Sequence, residues 1–161
     1  MKKILLWFMP SLFILLTVSI GSGHNNSAPS LDCAICHQGD FAPELVSLEG
    51  LPETYTPGKR YKLSISVNSD LKSMGDIAGG FALESSAGDI LVTDGKNTQL
   101  INSILTHTQD GSELRKWNFA WKAPLEKVDV TFTIMAVAAN GDFSSTGDIV
   151  SAGSFTTKAK K

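Results

Sequence analysis

Apolar and polar residues alternate with a period of two along most of the chain. Tyr61, Leu63, Ile65 and Val67 alternate with Lys62, Ser64 and Ser66, the pattern of a strand with one buried face. Trp117, Phe119 and Trp121 alternate in the same way with Asn118, Ala120 and Lys122. A third run, Val128, Val130, Phe132, Ile134 and Ala136, carries Thr131, Thr133 and Met135 on its other face. Shorter strands are predicted at 44–48, 80–84, 89–92, 101–107 and 154–157. Turn-forming pairs separate them: Pro57-Gly58, Ser69-Asp70, Ala87-Gly88, Asp94-Gly95, Asp110-Gly111, Ala123-Pro124, Asn140-Gly141 and Gly147-Asp148. No amphipathic helix longer than two turns follows Glu44. Seven or eight short strands with such punctuation predict an all-β protein, an antiparallel β-sandwich, with a closed barrel fitting the periodicity almost as well. Trp117 and Trp121 would supply much of its core.

Two stretches near the start break this pattern. Residues 4–20 are almost wholly apolar, stand behind Lys2 and Lys3, and are followed by Gly21-Ser22-Gly23. This reads as a Sec-type signal peptide over residues 1–23. A retained anchor is the alternative, since the run is near the minimum for spanning a bilayer. Pro10 and the small residues after the run favour cleavage, which leaves no stable membrane span and a protein exported to the periplasm, the extracellular space or the cell surface. Residues 24–43 read as a flexible leader rich in Asn, Ser and Pro, residues 44–157 as the sandwich, and residues 158–161 as a short basic tail. About 138 residues after cleavage make one domain. With a net charge of -2 and no basic stripe, nucleic acid is not an expected partner.

The leader contains Cys33-Ala34-Ile35-Cys36-His37, and these are the only two cysteines in the chain. Two thiols two residues apart, with histidine directly after, form the attachment pattern of a c-type haem. The thiols add across the two porphyrin vinyl groups, and the histidine reaches the iron from one face. Other readings are a small Cys33–Cys36 disulfide, a thioredoxin-like pair, which lacks its βαβ context, and a zinc site, which lacks a fourth ligand. The expected cofactor is one covalent haem c, bound by Cys33, Cys36 and His37, in a coil or short helix too brief to wrap it alone.

A second iron ligand would come from a short set. His107 ends a predicted strand beside a turn and is the leading choice. His24, near the mature N-terminus, and Met74, in a loop, are alternatives, whereas Met135 reads as strand packing. His24 with its free amine and His107 would also make a copper site, but that leaves the cysteines unexplained. No nucleophile, base and orienting acid stand in a catalytic order. Asp40 and Glu44 lie in loops, and Gly79-Gly80 is too short to cradle phosphate. Asn140, Asp142 and Asp148 offer at most a weak calcium site.

Several pieces together resemble a known module: Tyr55-Thr56-Pro57-Gly58 with Tyr61, Gly79-Gly80-Phe81-Ala82-Leu83, Leu105-Thr106-His107-Thr108, Trp117-Asn118-Phe119-Ala120-Trp121-Lys122-Ala123-Pro124, Val130-Thr131-Phe132, Ala138-Ala139-Asn140-Gly141-Asp142 and Gly147-Asp148. Over residues 45–157 this is similar to the reeler domain of reelin and ferric-chelate-reductase-like proteins, and to the bacterial choice-of-anchor V domains. The resemblance implies an immunoglobulin-like sandwich. It further implies export, since some bacterial members carry a CxxCH segment just before the sandwich. Relatives that keep the THT-type histidine without CxxCH imply a structural role for His107. The expected function is that of an exported monohaem c-type cytochrome, an electron carrier and not an enzyme. It would work with a redox partner protein and possible self-assembly. The alternative is a surface adhesion or interaction module with a Cys33–Cys36 disulfide.

Overall fold

Two stacked sheets account for the alternation. The structure, a computed structural model, describes residues 27–160. The signal region and His24 lie outside the described residues. A single helical turn, α1 (Cys33–Cys36), leads into β1 (Gln38–Phe41), β2 (Val46–Glu49), β3 (Thr54–Tyr55), β4 (Arg60–Val67), β5 (Gly79–Ser85) and β6 (Asp89–Leu91). There follow β7 (Thr98–Ile101), β8 (Ile104–His107), β9 (Lys116–Lys122), β10 (Val130–Ala138) and β11 (Thr146–Ala159). One sheet runs β1-β11-β10-β5-β8-β7 with β3 added on β11, and the other runs β2-β4-β9-β6. Pairing is antiparallel except where β1 and β3 lie parallel to β11. The fold is therefore a sandwich and not a closed barrel.

The alternating residues meet between the sheets. Leu63 and Ile65 of β4 and Trp117, Phe119 and Trp121 of β9 face Phe81, Leu83, Phe132 and Ile134 of β5 and β10, all buried. Trp121 stands edge-on to Tyr55 and Phe132, with ring centres 5.4 and 5.2 Å away. Such contacts add to the area that each ring buries.

Four departures from the sequence pattern have local causes. The stretch 101–107 is two strands, because the chain reverses at Asn102 and Ser103, both with positive φ (49° and 69°). The strand expected at 154–157 extends over all of β11, taking in Gly147-Asp148, which reads as a turn. The strand β1 precedes residue 44 and exposes all four residues, so no alternation marks it. Lys158 and Ala159 pair with Thr54 and Tyr55, which draws the start of the basic tail into the sheet.

Candidate functional site

The leader is laid against one end of the larger sheet. The backbone N–H of Ala28 donates to Thr106 Oγ1 at 2.8 Å, and β1 pairs with β11 through Gln38, Asp40 and Phe41. Gly39 lets β1 come this close, since a Cβ there would run into the carbonyl of Asp148. Between these two anchorages, residues 27–37 roof a cavity of about 490 Å³. Its floor and walls come from Ile77, Phe81, Val137 and Ala139, and its volume lies within the range typical of cofactor sites, about 300–1,000 Å³. The guanidinium of Arg115 braces one wall. It donates to the carbonyls of Ser69 (2.8 Å), Leu71 (2.6 Å), Ala78 (2.9 Å) and Ala139 (3.2 Å).

Three of the residues singled out in sequence, Cys33, Cys36 and His37, line this cavity, and so does His107 from β8. The cysteines sit one helical turn apart, an i, i+3 spacing that puts them on neighbouring positions of one face. Both thiols are free, so the alternative Cys33–Cys36 bridge is not formed. Cys33 is half-buried against a small apolar cluster of Val137, Ala139 and Val150, to which Ile77 and Met135 also belong. Burial pushes its thiol up to about 11, with the charge of Asp32 adding to the effect. A thiol held protonated in this way is a poor redox nucleophile, which disfavours thioredoxin-like chemistry.

The two histidines are held differently. His37 Nδ1 lies 2.5 Å from Oδ2 of Asp148, a buried residue of β11 whose Oδ1 accepts the backbone N–H of Asn140 at 2.9 Å. A carboxylate can only accept, so the neutral form of the His37 imidazole holds its proton on Nδ1 and leaves Nε2 available. His107 is buried against Gly80, where an added Cβ would stand 2.6 Å from the imidazole Cε1. Its Nδ1 lies 3.1 Å from the donating N–H of Phe81, and 3.3 Å from both Thr106 Oγ1 and the Phe81 carbonyl. Accepting from Phe81 leaves the proton on Nε2, and freeing Nε2 requires Nδ1–H to turn to either oxygen. Burial holds the His107 pKa below its ordinary value; the bond to Phe81 opposes this and the neighbouring His37 charge adds to it.

Met74 does not join the site. It is exposed on a loop that meets Asn140 through a backbone bond, and it does not line the cavity. Among the described residues, no group of three or more His, Cys, Asp or Glu is placed to hold a bare metal ion, and in the Asn140, Asp142 and Asp148 group the Asp148 oxygens are engaged by His37 and the Asn140 N–H. Asp142 instead caps its own turn by accepting the N–H of Ser144. Sequence reading set Asp148 in a weak calcium group and not beside His37, and it did not single out Arg115. The one local signal for Asp148 was a lone acid directly before the apolar pair Ile149-Val150.

Fold and cavity together define a two-sheet β-sandwich that presents a thiol and imidazole site at one sheet edge. No protein-family model matches the chain, and no curated protein matches it. Solved structures do match, reeler domains among them. The human F-spondin reeler domain (fragment 1) aligns with a TM-score of 0.56 at 15% identity, over 78% of this chain and 95% of that one. The Reelin-N domain of F-spondin gives 0.54 at 17%, over 80% and 96%. A second fragment of the human domain gives 0.51 at 17%, over 76% and 96%. At these identities the likeness establishes a reeler-type fold and carries no function with it.

Proposed function

We infer that the chain is an exported monohaem c-type cytochrome, an electron carrier whose haem is held in the cavity at the sheet edge. The observation that carries this reading is the convergence of CxxCH and a distant histidine on one apolar cavity. A single helical turn presents two free thiols, the next residue presents an imidazole with its Nε2 available, and His107 lines the same walls. The residues fit the group. Cys33 and Cys36 would hold the group through two thioether bonds, an S–H addition to a vinyl group that requires no oxidant. His37 and His107 would be the residues that ligate its iron, His107 with its proton held on Nδ1. When bound, a haem supplies a one-electron iron couple. The chain's own part is to hold the group by two bonds, to keep Ile77, Phe81, Val137 and Ala139 against it, and to leave a rim open for a redox partner protein. Ile35 and Phe143, both exposed and both on the cavity, form part of that rim.

Expression with the c-type haem maturation system, followed by a pyridine haemochrome spectrum and intact mass, tests the assignment. Covalent haem should add the mass of one group and be lost in the Cys33→Ala, Cys36→Ala double variant. Replacing His107 with Ala should abolish the low-spin spectrum, while Met74→Ala should leave it intact. No covalent haem under conditions that load a control cytochrome would overturn the reading.

A further inference from the structure

The acid that grips His37 has no place in the attachment motif, and it comes from the other end of the sequence. Asp148 is 3% exposed, and its two carboxylate oxygens are both engaged, Oδ2 by His37 Nδ1 and Oδ1 by the N–H of Asn140. A buried acid requires such partners, because it has surrendered water. The contact is also prepared by the backbone. The absence of a side chain at Gly39 lets β1 lie on the Asp148 main chain, and the Gln38 N–H donates to the Ser145 carbonyl at 2.5 Å. His37 is thus fixed on both sides of its Cα, by the helical turn before it and by the strand after it, while the acid fixes the ring. Among the described residues no lysine or arginine lines this cavity, and Arg115 behind its wall has its N–H groups on four backbone carbonyls and not on the acid.

We propose that Asp148 is the positioning residue of the iron site. It selects the His37 tautomer, aims Nε2 into the cavity, and lowers the reduction potential of the iron. The inference rests on the haem reading above. A carboxylate bonded to the outer nitrogen of a metal-binding imidazole fixes the ring and increases its basicity. A more basic ligand and a nearby negative charge both favour the ferric state over the ferrous one. The potential of the bound group is then set by a residue of the sandwich and not by the motif that carries it. CxxCH alone cannot supply that setting, since its only polar side chain is the imidazole itself.

The test compares haem-loaded wild type with Asp148→Asn, which keeps an oxygen to accept the Asn140 N–H but removes the charge. Covalent haem in both proteins with a midpoint potential higher in Asp148→Asn supports the proposal. Covalent haem in both with equal potentials overturns it and leaves the cytochrome assignment standing. Should Asp148→Asn fail to fold, nitrogen-detected NMR of the imidazoles in the haem-free wild-type protein decides the matter at a pH where histidine is neutral. A proton on His37 Nδ1 supports the role of Asp148, and a proton on Nε2 overturns it. A wild-type protein that takes up no haem overturns the cytochrome assignment and, with it, the effect on potential. The NMR result then still decides the orienting role by itself.

Discussion

His107 is at once a buried side chain and a lining residue of the cavity. Burial depresses its pKa, so the folded state resists protonation that the unfolded chain accepts near 6.5. Between those two values the unfolded state binds more protons, and stability therefore falls as pH falls. Urea midpoints of the haem-free protein should be level above about pH 7 and decline as pH drops through 6.5. The slope attributable to this group is at most about 1.4 kcal/mol per pH unit. His107→Gln should flatten that part of the profile, and an unchanged slope would place its origin elsewhere, His37 being the nearest other histidine. The residues that stood out in advance were those that are neighbours in sequence, as with Cys33, Cys36 and His37, which the fold places on one cavity. Asp148 could not be read, because Gly147-Asp148 has the composition of a turn, and only the burial of β11 turns that acid into an imidazole partner.

The elements repeat this contrast. Strands β4, β9 and β10 announce themselves because one face of each is buried in the core and the other is not. The hairpin of β7 and β8 was hidden. Its two central residues are Asn102 and Ser103 instead of the Asn-Gly pair that marks such turns, so the two polar residues between apolar neighbours carry no glycine to signal the reversal. Ser103 adopts φ of 69°, a region that costs a side-chain-bearing residue about 1–2 kcal/mol. Ser103→Gly should relieve part of this and stabilise the fold by about 0.5–1 kcal/mol. Equilibrium urea denaturation measures it, and a lower midpoint in the variant would show that the serine side chain makes a compensating contact. The hairpin matters beyond its own strands because β8 ends at His107, so its register fixes where that imidazole stands.

At the scale of the molecule, stability is distributed unevenly. The main core joins both sheets through Trp117, Trp121, Phe81 and Phe132, whereas the cysteine-bearing segment rests, through Cys33, on a small cluster of Val137, Ala139 and Val150. Local opening free energies follow buried apolar contact, so this end should open first. Native-state hydrogen exchange should therefore show the sheet amides of β1 and that of Ala42, which donates to Val150, exchanging well before those of β4 and β9. Equal protection would mean that the segment unfolds only with the whole. The sandwich itself was legible because two-sheet packing writes its period into the sequence. The cavity was not, because it forms only where the leader meets β5, β8 and the end of β10, elements far apart in sequence, with β8 supplying His107 and β10 supplying Val137.

The strand β1 occupies the outer border of β11, from Thr146 to Val150. Unpaired strand borders are templates on which a second chain can assemble, and proteins commonly shield them. Here the shield is the segment that bears the thiols, and it is a weakly anchored one. Whatever lifts that segment away, whether a processing enzyme reaching the cysteines or a substitution at Gly39, also bares a row of backbone amides and carbonyls. Solubility of the protein before it is fully assembled is thereby tied to four exposed residues, Gln38 to Phe41, that contribute almost nothing to its core.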